Sequence, residues 1–172
     1  MVGYKQGGIG AVPDTDAVYG LLFGCGLVEA PAGLSASKFG LFGVEAEIAF
    51  VLGATDLPID QAPWTEDQIW AATREIFPCI ELCGRRHTLK DAANLDNLAD
   101  WSCTGGVVCG KRYPASDVAV ESLNAIETKM IVGGVEKSAG SGVKCPLGGY
   151  GDIHIKPNQP RRNEKKYLHQ LY

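Results

Sequence analysis

Three glutamates carry the sharpest chemical signal in this sequence. Glu45 and Glu47 stand two residues apart in VEAEIAFVL (Val44–Leu52), and Glu81 stands in FPCIELCG. Side chains at i and i+2 of a strand share a face, roughly 7 Å apart at the backbone, so long carboxylates can converge. Two carboxylates about 4 Å apart repel by about 4 kcal/mol at an effective dielectric of 20. A shared proton or a divalent cation relieves that repulsion. Ligands that are all oxygen suit magnesium, manganese or calcium better than zinc. Glu81, a charge inside an apolar segment, needs a partner and is the natural third ligand. Three carboxylates on one hard cation leave positions open for a chelating substrate. The alternative reading puts Glu45 and Glu47 on a solvated strand face and pairs Glu81 with Arg85 or Arg86. The ExE spacing alone does not decide between them.

The positioning elements are legible in part. In Val44–Leu52, Val44, Ala46, Ile48, Phe50 and Leu52 take one face and Glu45, Glu47, Ala49 and Val51 the other. Ala49 and Val51 call for burial, so the two glutamates are expected to line a pocket. A helix is predicted over 66–77. Thr65 and Gln68 have capping-box spacing, Trp64 and Ile69 occupy staple positions, and Pro78 marks the stop. Cys79–Cys83 and Val107–Cys109 read as short strands. Ser116 is expected to cap a short helix reaching about Asn124. Ala125–Val132 and Val135–Ser138 flank Gly133-Gly134, a hairpin turn signal. Nothing beyond Gly148 shows a convincing period.

The chain has 172 residues, 45% hydrophobic and 21% charged, within the range of one globular domain. No apolar run approaches the roughly 18 residues of a membrane span. The first residues, MVGYKQGG, lack a charged-then-apolar leader pattern. A cytoplasmic protein without membrane contact is therefore expected. From Lys156 onward there are five Lys/Arg and one Glu, which leaves residues 1–155 with a net charge of −8 out of the total −4. So acidic a body argues against a nucleic-acid groove, and residues 151–172 read as a basic, loosely ordered tail. In a reducing compartment the six cysteines are expected to be thiols, mostly serving as small buried hydrophobes. Cys79, Cys83 and His87 form a C-x3-C-x3-H string, but zinc sites usually need a fourth ligand and tighter spacing.

In order along residues 3–148, GYKQG, YGLLF, VEAEIAFVLG, PCIEL and LADWS resemble the 2-keto-4-pentenoate hydratase family of the fumarylacetoacetate hydrolase superfamily, which also includes the 4-oxalocrotonate decarboxylases. VEAEIAFVLG followed by PCIEL at this interval is the specific part. The resemblance implies a mainly β fold of α+β type, a mixed β-sandwich or roll with a few helices. It implies Mg2+ or Mn2+ held by Glu45, Glu47 and Glu81. It also implies that Lys5 meets the substrate carboxylate or moves a proton, and that Ser102 hydrogen-bonds the substrate. The implied substrate is a small unsaturated 2-oxo or 2-hydroxy acid from aromatic meta-cleavage, which is hydrated or, alternatively, decarboxylated. Homo-oligomers are usual. Two features depart from the family. An Asp that usually follows the YGLLF element is replaced by Gly24 and Cys25. The family also has more sequence before Lys5 and more strands after its Gly-x-Pro-Leu element. Residues 1–150 are thus expected to form an incomplete domain, and a non-catalytic family member is the other reading.

Overall fold

The computed structural model describes residues 1–7, 18–53, 64–87, 96, 99–141 and 166–171. Ten strands and two short α-helices occur among them. In chain order these are β1 (Gly3–Gly7), β2 (Val18–Leu22), β3 (Leu27–Glu29), α1 (Ala36–Phe39), β4 (Leu41–Leu52), α2 (Glu66–Ala72), β5 (Thr73–Gly84), β6 (Thr104–Cys109), β7 (Tyr113–Pro114), β8 (Glu127–Val132), β9 (Val135–Ser141) and β10 (Lys166–Leu171). The main sheet runs β2-β1-β10-β4-β5-β6-β3, with β7 added on β5. β1 is parallel to β10 and β3 to β6, and the other neighbours are antiparallel. The expected fold class, mainly β and mixed with few helices, is what the chain adopts.

The alternation in β4 works as the sequence suggests. Ile48, Phe50 and Leu52 join Ile69 of α2, Ile76, Ala115 and Leu123 in one core. Ala49 and Val51 join Leu22, Phe77, Cys79, Val107 and Cys109 in a second core on the other face. Leu22 belongs to the strand at one edge, and Val107 and Cys109 to the strand next to the opposite edge. Their contact requires the sheet to curl round this second core.

α2 begins as predicted. Thr65 Oγ1 accepts from Gln68 N at 3.3 Å, and Gln68 Oε1 accepts from Thr65 N at 2.8 Å. It ends earlier than predicted, at Ala72 rather than residue 77, because Thr73–Gly84 pairs with β4 along its whole length. Thr73, Ile76 and Phe77 are worth more as buried strand residues than as a last helical turn. Pro78 is therefore a strand residue and not a helix stop. Its carbonyl accepts from Gly110 N on the β6 side, in the gap between the pairings with β6 and β7, where a missing N–H breaks no ladder bond.

Other boundaries move as well. β4 starts at Leu41, not Val44. The helix expected after Ser116 is replaced by 3-10 turns at Ala115–Asp117 and Val120–Ala125. The hairpin is confirmed: Gly133 and Gly134 have φ of 59° and 79°, the positive pair that a type I′ turn demands. Within the segment 151–172, read as a loose tail, Lys166–Leu171 is a strand between β1 and β4. Hydrogen bonding on both sides compensates for its weak apolar pattern. Residues 142–165 lie outside the described residues.

Candidate metal and substrate site

Glu45 lies opposite Glu81 in the β4–β5 ladder, with Glu47 opposite Cys79 and Gly43 opposite Cys83. All six positions alternate onto the concave face of the curled sheet, beside the second core. Glu81 is 0% exposed and Glu47 3%, whereas Glu45 sits at the exposed rim. Two of the three carboxylates are thus buried and the third is exposed.

The buried charge is anchored from one side. Lys5 Nζ donates to Glu81 Oε1 at 2.5 Å and to the Ser102 carbonyl at 3.2 Å. Thr104 Oγ1 donates to the same Glu81 oxygen at 2.7 Å. Lys5 itself is only 4% exposed. Its strand is three ladder steps from β5, about 14 Å along a flat sheet, so the ion pair exists only because the sheet curls. The contact joins Glu81 to Lys5 and Thr104, whereas Arg86 holds Asp100.

With Glu81 Oε1 held, Oε2 is buried and no donor reaches it. Burial and the charge of Glu81 push the Glu47 carboxyl well above the ordinary carboxylate value, with Lys5 opposing. Burial, then Glu81, also raises Glu45, while Lys5 and the Cys83 thiol lower it. Three carboxylates against one ammonium leave negative charge that a proton or a cation must offset. The residues fit a divalent cation on that ground, with Glu81 Oε2 buried and held by neither Lys5 nor Thr104.

Ser102 reaches the site through an unusual turn. Trp101, Ser102 and Cys103 have φ of 54°, 52° and 61°, three consecutive left-handed residues without glycine. Each costs on the order of 1–2 kcal/mol. The turn is clamped by Arg86, whose Nε donates to Asp100 Oδ1, whose Nη2 donates to Asp100 O, and whose Nη1 donates to Thr104 O. The Arg86 guanidinium lies 4.4 Å from the Trp101 ring centroid. Gly20 lets the turn approach: a Cβ there would strike the Trp101 carbonyl and meet Lys5 Cγ at 3.0 Å. The turn delivers the Ser102 carbonyl to Lys5 and leaves Ser102 Oγ buried without a hydrogen-bond partner.

Each of Lys5, Glu45, Glu47, Glu81 and Ser102 therefore lies in this region. Sequence reasoning missed Thr104, the Arg86–Asp100 clamp and Cys83. Cys83, Glu45 and Glu81 place donor atoms within 4.8 Å of one another. The Cys79–Cys83–His87 string does not assemble as such a cluster among the described residues. Cys79 faces Cys109 in the second core, and the His87 ring lies 4.0 Å from Asp100. Cys79, Cys83 and Cys109 are buried thiols as expected, but Cys25 is exposed.

A groove of about 700 Å3, floored by Val44, Ala46 and Ile80 and walled by the β8–β9 hairpin, belongs to the opposite face of β4 and β5. It holds apolar side chains on its floor. The chemistry lies on the concave face. No helix among the described residues is long and apolar enough to cross a membrane.

No protein-family model and no curated protein matches the chain. Solved structures do, among them 4-oxalocrotonate decarboxylase from Pseudomonas putida G7 complexed with magnesium and adipate, and the same enzyme complexed with calcium and acetate. Both superpose with a TM-score of 0.73 at 19% identity over 98% of this chain. The chain spans 66% and 65% of their lengths. Over the span they share, this chain is similar in fold to a 4-oxalocrotonate decarboxylase, the superfamily fold that its sequence motifs resemble.

Proposed function

We propose that this chain binds a divalent cation through Glu45, Glu47 and Glu81 and acts as a lyase on a small unsaturated 2-oxo acid. The carrying observation is the carboxylate cluster, with Glu47 and Glu81 buried, in which Lys5 and Thr104 fix one oxygen of Glu81 and not the other. Magnesium and calcium in the structures of similar fold support a hard cation. Such a cation, when bound, would supply charge stabilisation for an oxyanion developing on the 2-oxo group.

The chain's own residues bind and orient the substrate. Lys5 Nζ has three donors and spends two on Glu81 and Ser102, which leaves one for a substrate carboxylate or for proton transfer. Ser102 Oγ can donate to a second substrate oxygen. The second core keeps water from one side of the pocket. Decarboxylation is the favoured reaction, with hydration second. Loss of carbon dioxide and tautomerisation before hydration need the same stabilised oxyanion, whereas the positions after β2 hold Gly24 and Cys25 in place of the carboxylate that would move a proton in hydration.

The test is thermal unfolding of the chain with magnesium or manganese, followed by assays on unsaturated 2-oxo acids for carbon dioxide release and for hydration. Metal at 100 times its dissociation constant should add about 2.7 kcal/mol. Glu47→Gln should abolish that gain and any turnover. Full activity in Glu47→Gln protein would overturn the proposal.

A further inference from the structure

The face of β4 and β5 opposite the carboxylates is only partly covered. The core of Ile48, Phe50 and Ile76 covers one stretch of it, and past that core Val44, Ala46 and Ile80 lie exposed as the floor of the groove. The β8–β9 hairpin walls this groove as far as Met130 and Ser138. Beyond them the hairpin tip is apolar: Ile131 is 62% exposed, Val132 54% and Val135 56%. Met130, Ile131 and Val132 make three consecutive exposed apolar residues, a run that surfaces avoid unless it binds something. Among the described residues β8 pairs with β9 and with no other strand. A two-stranded hairpin is marginal by itself, so this one calls for a further contact.

We propose that a second copy of this chain supplies it: two copies pair about a two-fold axis, the β8–β9 tip of each lodged in the Val44–Ala46–Ile80 groove of the other. The shapes match. The tip is an apolar wedge, narrow because its turn is Gly133-Gly134, and the groove beside it is an apolar cleft. The charge matches too. Residues 127–141 hold Glu127, Glu136, Lys129 and Lys137, a net charge of zero, whereas residues 1–155 carry −8. Two acidic bodies repel elsewhere, and this hairpin is a neutral place to meet. The area suffices. Val44, Ile80, Met130 and the three tip residues expose on the order of 500 Å2 per copy, which at an apolar share of about 60% corresponds to the roughly 800 Å2 per partner of a standard interface. Because each copy gives a tip and receives one, the contact closes as a dimer. It lies across the sheet from the carboxylates and does not rest on a cation there.

Sedimentation velocity of the full chain, from low to high micromolar concentration, tests the pairing. The wild type should pass from monomer to dimer. Ile131→Lys at the tip and Ile80→Lys on the floor should each stay monomeric, with near-ultraviolet circular dichroism showing that both are folded. Val135→Lys and Val44→Lys replace them should either fail to fold. An equimolar mixture of the tip and floor variants should dimerise again, at least tenfold more weakly than the wild type, since one of the two tip–groove contacts is then intact. A wild type that stays monomeric, a dimer that survives either substitution, or a mixture that stays monomeric would overturn the exchange. A monomeric wild type that binds an apolar dye, with the binding lost in Ile80→Lys, would assign the groove to a small apolar molecule instead.

Discussion

The Lys5–Glu81 pair gives the most direct test of the site's construction. The two charges are 2.5 Å apart with side chains 5% and 1% exposed. At an effective dielectric of 20 their attraction is about 7 kcal/mol before desolvation is subtracted. Removing one partner of such a buried pair costs about 3–5 kcal/mol, since the other charge stays buried. Lys5→Met, which keeps the unbranched stem and removes the ammonium, should lower the unfolding free energy by that amount in chelator-treated protein at neutral pH. Glu81→Gln should cost less, because it also removes repulsion with Glu47. The double variant should be more stable than the sum of the single losses by about 2–3 kcal/mol. Urea unfolding of the four proteins, with a common slope, measures this coupling. Losses that add to within about 0.5 kcal/mol would refute the pairing, and with it the curl of the sheet that brings β1 to β5.

Three further perturbations probe the same construction. The Glu47 carboxyl is raised above its ordinary value near 4.5. As pH climbs through that value the unfolded chain releases the proton first, so the metal-free protein should lose stability until the folded carboxyl also ionises. Glu47→Gln should remove this fall in a series of urea midpoints against pH, and an unchanged slope would contradict the burial of Glu47. Gly20→Ala should displace the Trp101–Cys103 turn, cost about 1–3 kcal/mol and weaken metal binding, read together by unfolding and by titration calorimetry. Thr65→Ala should cost about 1 kcal/mol through the lost cap while leaving metal affinity unchanged, and so serves as a control distant from the site.

Alternation in Val44–Leu52 settled by itself which residues share a face with Glu45 and Glu47, because side chains on a strand alternate strictly. The same local logic fixed the capping box at Thr65 and the turn at Gly133-Gly134. The order of motifs pointed to the fold class. Local pattern could not tell that residues 73–84 form one long strand, since only the ladder with β4 makes that segment extended. Nor could it tell that Lys166–Leu171 is a strand, since its partners lie more than a hundred residues away. Tertiary structure alone decided the chemistry of the site's third dimension. The curl of the sheet carries Lys5 onto Glu81, the left-handed turn at Trp101–Cys103 carries Ser102 to Lys5, and a register shift against β6 sets Thr104 and Cys83 beside the carboxylates. Residue types and spacing encode what a strand shows on each face. Which strands meet across a curved sheet is set by the packing of the whole core.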